Sequence, residues 1–391
     1  MNFDAQMDQR GSGSSKWDGV ASMLGHDDPG ASAMWLAQMD FAPGEFLTRA
    51  AQATVDRGQW GYFVGLERMF ERVAWWAETR WGWPADPSHM RATHGLGNAI
   101  GICLQTWSNP GDEVIIFSPV YNEFAAKVQK NGRTPRQSPL SVDDDGRFQF
   151  DLEELEKSLS GREKIMLISQ PHNPAGRIWS VAEMQAMAEF CARHDLIFIS
   201  DEIHADLVFP GKAHVPAGTA VTEFLDRTII LTAASKTFDI AGLRTGTVII
   251  PDATCRAEFD RLHRALDIQP NRMGVELTKA AYSEAGAAWV DGLQAYLAEN
   301  ARVLSDGLSS IPGVTVLPME ATYLAWVDFA GTGMDRAELD ERTMKTARVV
   351  PSPGPIFGIG GEMCQRINIG TCRANIEDAV ARLRAAFADL Q

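Results

Sequence analysis

The sequence predicts an α/β protein in two parts, a large domain built on a mostly parallel sheet covered by helices and a smaller α/β domain after it. Three observations predict it. Short β-branched apolar runs alternate with helical patterns from about residue 90 to 250; a long helical stretch follows at about 275–309; and short strands of a different spacing return beyond it. At 391 residues the chain is too long for one simple core and divides into about two domains. The expected division is 1–50 as an N-terminal arm and small-domain segment, 51–285 as the large domain, and 286–391 as the small one.

Each element has its own signal. The first residues, MNFDAQMDQRGSGSS, read as a flexible arm without the apolar core of a signal peptide. The strand runs are EVIIFSP (113–119), KIMLISQP (164–171), LIFISDEI (196–203), TIILTAAS (228–235) and GTVIIP (246–251). Their near-continuous apolar character is that of strands buried on both faces, as in a parallel sheet. Between the second and third, VAEMQAMAEFCARHD (181–195) repeats apolar residues at helical spacing, with Met184 and Met187 as core filler. The stretch from 275 to 309 is rich in Ala, Leu, Glu and Arg and reads as one long helix. Beyond it come VTVLP (314–318), YLAWVDF (323–329), a helix near 335–347, the strand QRINIG (365–370) and a closing helix over 374–389.

Composition narrows the function classes. The net charge is −15, from 51 acidic against 36 basic residues, which repels phosphate backbones and anionic headgroups. Nucleic acid is therefore not the expected partner. The five cysteines are scattered and contain no C-x-x-C, so neither a metal site nor a disulfide framework is indicated. No apolar run is long enough to span a bilayer. A soluble cytoplasmic protein with no membrane partner is expected.

In an open α/β sheet, ligands collect outside the carboxyl ends of the strands. Just beyond the expected strands stand Tyr121, Asn173, Asp201 and Lys236, which places a ring, an amide, a carboxylate and an amine on one sheet edge. A lysine flush with a buried strand loses solvation, its pKa falls, and its neutral amine can form a Schiff base with an aldehyde. The aspartate can hold a pyridine nitrogen protonated, the ring can stack, and the amide can bond a phenolic oxygen. Those are the needs of pyridoxal 5'-phosphate. For its phosphate, THGLGNAI (93–100) offers backbone N–H groups at Leu96 and Gly97 before a helix, and Ser235 and Arg244 flank the lysine. An ordinary tight turn reads equally well in GLGNA. His94 beside it reads as structural, and most of the eleven tryptophans as packing.

With these residues assembled, the chain resembles the fold-type I pyridoxal-phosphate-dependent aminotransferase superfamily along essentially its whole length. Within it, the chain looks most like the MalY/PatB-type cystathionine β-lyase (carbon–sulfur lyase) group. The stretches that carry the likeness are SKWD (15–18), MWLAQMDF (34–41), GYF (61–63), SPVYNEF (118–124), PHNPAGR (171–177), SDEIHADL (200–207) and SKTFDIAGL (235–243). The resemblance implies a seven-stranded-type large sheet, with Lys236 as the Schiff-base lysine and Asp201 as partner of the pyridine nitrogen. Tyr121 would stack on the ring and Asn173 would bind its oxygen. Arg366 would grip a substrate α-carboxylate, with Trp35 and Ala37 on the substrate side. Tyr62 would reach the phosphate and substrate of a neighbouring subunit, making the active site a shared feature of a homodimer. His204 stands where commoner aminotransferases carry tyrosine, and reads either as a cofactor contact or as a ring packed beneath it. Three departures stand out: Ala233 for a phosphate-binding serine, Ala175 for a threonine, and Asp239 for the usual asparagine after the lysine.

The implied reaction is β-elimination from an L-amino acid with sulfur on Cβ. Lys236, released by the substrate amine, would remove the α-proton, and a thiol, pyruvate and ammonia would result. Cystathionine, cystine and other S-substituted cysteines are all admissible. Transamination uses the same residues and is the alternative. A third reading, from another class, is a regulator that binds a partner protein, as members of the lyase group can. PSPGPIFGIGG (351–361) reads either as a closing loop or as a rigid turn cluster.

Overall fold

The computed structural model describes residues 1–5 and 7–390. Its large sheet has seven strands: β1 (Met90–Thr93), β2 (Glu113–Ser118), β3 (Thr134–Pro139), β4 (Glu163–Ser169), β5 (Ile197–Asp201), β6 (Thr228–Thr232) and β7 (Gly246–Ile249). The spatial order is β1-β7-β6-β5-β4-β2-β3. All pairings are parallel except those of β7, which runs antiparallel to both β1 and β6. Every residue of β2, β6 and β7 is buried, which accounts for their apolar sequences.

The reversal at β7 positions the functional edge. Strand β6 ends at Thr232 on the carboxyl edge of the sheet, and β7 starts at Gly246 opposite Thr93, so the connection 233–245 stays on that edge. Lys236 and Arg244 both lie in it. Strands β1 and β3 have no counterpart among the five apolar runs. β1 is only MRAT, and β3 is the polar TPRQSP, whose prolines are tolerated because it is an edge strand.

The second sheet orders Ser32–Met34, Val349–Pro353, Cys364–Asn368, Leu324–Asp328 and Thr315–Val316. Its first strand comes from the N-terminal region and pairs in parallel with Val349–Pro351. The long helix expected over 275–309 is two helices, Arg272–Ala281 and Glu284–Leu308. Buried Tyr282 stacks on Trp76 at the break, and the Ser283 hydroxyl caps the second helix by accepting from the Gly286 N–H at 3.2 Å. A Cβ on Gly286 would lie 1.8 Å from the Ala281 carbonyl oxygen, so this corner closes only around glycine. The helix near 335–347 is likewise two pieces, an α-turn Arg336–Asp340 and a π-helical Glu341–Thr346.

The arm expected to be flexible is anchored instead. Phe3 is buried in edge-to-face contact with Phe41 and Trp289, and the Gln9 amide donates to the Met39 carbonyl at 3.0 Å. Among the described residues no helix is long and apolar enough to cross a membrane. All five cysteines are buried and free.

Candidate active site

A cavity of about 440 Å³ opens at the carboxyl edge of the large sheet, lined by Tyr121, Asn173, Asp201, His204, Ser235, Lys236 and Arg244 among others. Each comes from the position the strand order dictates. Asp201 ends β5, and its neighbours in the sheet place Asn173, four residues after β4, on one side and the β6–β7 connection on the other. Tyr121 is held against Asn173 by its own backbone, whose N–H donates to the Asn173 carbonyl at 2.9 Å.

Lys236 Nζ donates to the Ala37 carbonyl at 2.7 Å. Burial lowers its pKa to about 8, with the nearby Asp239 carboxylate the largest opposing influence. Asp201 shows the complementary effect. Burial pushes its carboxyl up to about 7, against the Ile203 N–H that donates to it at 3.1 Å. Desolvation first, then the Lys236 and Arg366 charges, lower the His204 imidazole to about 3, so it stands neutral. Its Nδ1 is buried without a hydrogen-bond partner among the described residues.

At the other end of the cavity the helix Leu96–Trp107 begins at Gly95, whose φ of +77° lies in the left-handed region that favours glycine. Among the described residues no side chain caps this helix, and the Leu96 and Gly97 N–H groups have no partner. Arg244, held at φ +46°, is in no salt bridge among the described residues. Unpaired donors and a free cation facing one hollow suit a phosphate dianion.

Arg366 lies in the second sheet and crosses to the first. Its Nη1 donates to Asn173 Oδ1 at 3.0 Å, and its Nη2 to the Trp35 carbonyl at 2.9 Å and the Ser352 hydroxyl at 3.2 Å. Its Nε is buried and has no partner among the described residues, and burial lowers the pKa of the group to about 10. A buried guanidinium with no carboxylate beside it has capacity for an anion.

Ala37 borders the cavity. Two other expected residues lie elsewhere. The Trp35 ring turns away, its indole N–H donating to the Lys16 carbonyl at 2.8 Å, and packs with Val20 and Val350; only its carbonyl serves the site, through Arg366. Tyr62 is fully exposed in the loop between helices Glu45–Arg57 and Leu66–Trp81 and does not reach the cavity of its own chain. In the 351–361 segment, Pro351–Pro353 complete a strand of the second sheet and Gly354–Phe357 is one 3₁₀ turn, to whose Phe357 carbonyl the Val120 N–H donates at 3.0 Å.

Sequence reasoning missed two charged residues here. Lys127 lines the cavity beside Gly97 while paired with Glu123 at 3.0 Å; the helical spacing from Glu123 was its only signal. Asp206 is buried behind the lysine turn, accepting from the Trp76 and Trp81 indoles at 2.7 and 2.8 Å and from the Thr237 hydroxyl at 3.0 Å. A carboxylate within an apolar stretch was its signal, and it gives two of the tryptophans a polar anchor in addition to packing.

With this geometry in view, the model of the family described as aminotransferase class I and II matches residues 33–383. The chain belongs to that family. It is 36% identical to the cystathionine beta-lyase PatB of Bacillus subtilis (strain 168), over 99% of this chain and all of the relative. Protein MalY of Escherichia coli (strain K12) is 29% identical over 98% of this chain and 97% of that one. Among solved structures, the chain is similar to cystalysin from Treponema denticola, which contains a pyridoxal 5'-phosphate cofactor. The TM-score is 0.94 and the identity 30%, covering 100% of this chain and 99% of that one. The family's large sheet flanked by helices is the fold described above.

Proposed function

We propose that this chain is a pyridoxal-phosphate-dependent carbon–sulfur β-lyase, converting cystathionine or another S-substituted L-cysteine, with water, into a thiol, pyruvate and ammonia. The observation that carries the reading is the meeting of Lys236, Asp201, Asn173 and Tyr121 in one cavity, with the unfilled Nε of Arg366 close by. The full-length likeness to a cystathionine beta-lyase supports the choice of elimination over transamination.

The residues fit the cofactor. Leu96 and Gly97 N–H groups, Ser235 and Arg244 would hold the phosphate, Tyr121 would cover the ring, and Asn173 would meet its oxygen. When bound, pyridoxal phosphate supplies the electron sink that makes loss of the substrate α-proton accessible. The Asp201 carboxylate would keep a proton at the pyridine nitrogen. Lys236, neutral in part near pH 8, is the base for the α-proton and the donor that returns a proton to the departing sulfur. Neutral His204 adds shape without charge.

Arg366 would take the substrate α-carboxylate, leaving the amine and Cα directed at Lys236. Arg366→Ala is expected to lower kcat/KM by about 10²-fold, chiefly as a raised KM, in steady-state assays. Arg366→Lys should recover little of it, because an ammonium cannot reproduce the planar fork. An unchanged KM in both variants would remove Arg366 from this role.

The exposed Trp60, Tyr62 and Val64 form an apolar loop suited to burial against a second copy. In this reading Tyr62 completes the partner's site. Sedimentation should give a dimer, and Tyr62→Ala should weaken cofactor retention; a monomer of full activity would overturn the shared site.

The function itself is tested by adding L-cystathionine to the cofactor-loaded protein and assaying pyruvate and thiol together. Equal yields of both establish elimination. A keto acid formed only in the presence of an amino acceptor, with no thiol, establishes transamination instead.

A further inference from the structure

The helix Leu96–Trp107 opens beside two glycines that are there for different reasons. Gly95 holds a φ of +77°, whereas Gly97 is an ordinary helical residue, at a place where glycine weakens the helix. What Gly97 provides is room. A Cβ there would lie 2.7 Å from Lys127 Cε and 3.3 Å from its Nζ. Lys127 belongs to the helix Asn122–Lys130, which packs along the first; one turn on from it, the Asn131 side chain accepts from Gln105 Nε2 at 2.9 Å. The lysine stem is thus laid against the first turn of Leu96–Trp107, and Lys127 lines the same cavity as Gly95, Leu96 and Arg244.

This placement has the wrong sign for a lysine that only packs. The N-terminal end of a helix carries partial positive charge, which attracts anions and repels an ammonium. A second cation already stands there: a Cβ on Gly95 would lie 3.9 Å from Arg244 Cδ. The Glu123 carboxylate, 3.0 Å from Lys127 Nζ, offsets one of the two charges, but Glu123 does not line the cavity. Among the described residues that do, Asp201 is the single carboxylate. Ala233, where the resemblance leads one to expect a hydroxyl, brings none. Independently, His204 lines the same hollow at 2% exposure with its Nδ1 unpartnered among the described residues, as befits a cavity built around a ligand.

We propose that Lys127 is a further ligand of the cofactor phosphate: its ammonium, steered by Glu123, supplies with Arg244 the charge that balances a phosphate monoester dianion. The inference rests on this cavity being the pyridoxal-phosphate site.

For the test, protein loaded with pyridoxal 5'-phosphate, and separately with pyridoxal, is diluted in steps, and the visible absorbance band gives a dissociation constant for each. Lys127→Met keeps a stem against Gly97 and removes the charge. It should weaken retention of pyridoxal phosphate about tenfold and leave pyridoxal unchanged, while Lys127→Arg stays near the parent. Lys127→Gln gives the same reading should the methionine variant fail to fold. Glu123→Gln should hold pyridoxal phosphate as tightly as the parent or more so, because it removes a negative charge near a dianion. A lysine present only for its helix pair predicts otherwise: both variants would change together, and both cofactor forms alike. That outcome, or parent-like retention of pyridoxal phosphate by the uncharged Lys127 variants, overturns the proposal. Arg244→Met separates the two layers. A phosphate-selective loss in Arg244→Met alone removes Lys127 only; a parent that holds pyridoxal as tightly as pyridoxal phosphate overturns the phosphate site at this helix, and this inference with it.

Discussion

Lys236→Ala is expected to abolish turnover, by at least about 10³-fold, and to remove the covalently held cofactor while leaving the fold intact. The amine has no substitute. It is the lysine on the carboxyl edge that lines one cavity with Asp201, Asn173 and Tyr121, and among the described residues its amine bonds a backbone carbonyl. The parent carries the desolvation cost of this amine, visible in a pKa lowered to about 8, so its removal should leave Tm unchanged or higher at neutral pH. Absorbance gives the first result, calorimetry the second. Steady-state pyruvate production from the alanine variant would refute the role.

Asp201→Asn should separate function from stability in the same way. Activity should fall by roughly 10²-fold or more, because an amide cannot hold a protonated pyridine nitrogen as a carboxylate does. Stability of the cofactor-free protein should move oppositely. Burial raises the folded-state pKa from 3.8 to about 7, so the native state binds the proton more tightly than the unfolded chain. The resulting cost is absent below about pH 4, grows as pH rises, and is complete above about pH 7. A shift of this size corresponds to a few kcal/mol, about 1.4 for each pH unit. The asparagine variant should therefore melt higher than the parent above pH 7, with the gap closing toward pH 4. Equal melting at every pH would show that the carboxylate is not held in the environment described.

Much of this was legible in the sequence because a parallel sheet writes its strands as apolar runs and gathers its chemistry at their ends. Tyr121, Asn173, Asp201 and Lys236 are found by that rule alone, and all four border one cavity. The rule is silent where strands are polar or very short, which is why β1 and β3 escape it. It also cannot see side-chain direction. Nothing in MWLAQMDF tells that the Trp35 indole bonds to Lys16 while the Trp35 carbonyl bonds to Arg366. Nor can spacing show that residues 275–309 bend at Ser283, since the close approach of Gly286 to the Ala281 carbonyl exists only once the corner has formed. Asp206 was hidden for a similar reason: its partners Trp76 and Trp81 are more than a hundred residues away.

Residues 35–40 form a strip with bonds to both halves of the molecule. Trp35 meets Arg366, Ala37 meets Lys236, Met39 meets Asp239, and the carbonyls of Leu36 and Gln38 accept from Asn368 at 2.5 and 2.7 Å. The group that would recognise a substrate and the group that would deprotonate it are therefore registered against one common ruler. New specificity is hard to evolve here without retuning chemistry, because a substitution that slides the strip to suit another side chain also displaces the lysine. Adaptation that preserves rate has freer scope at cavity residues outside this strip, such as Ile203.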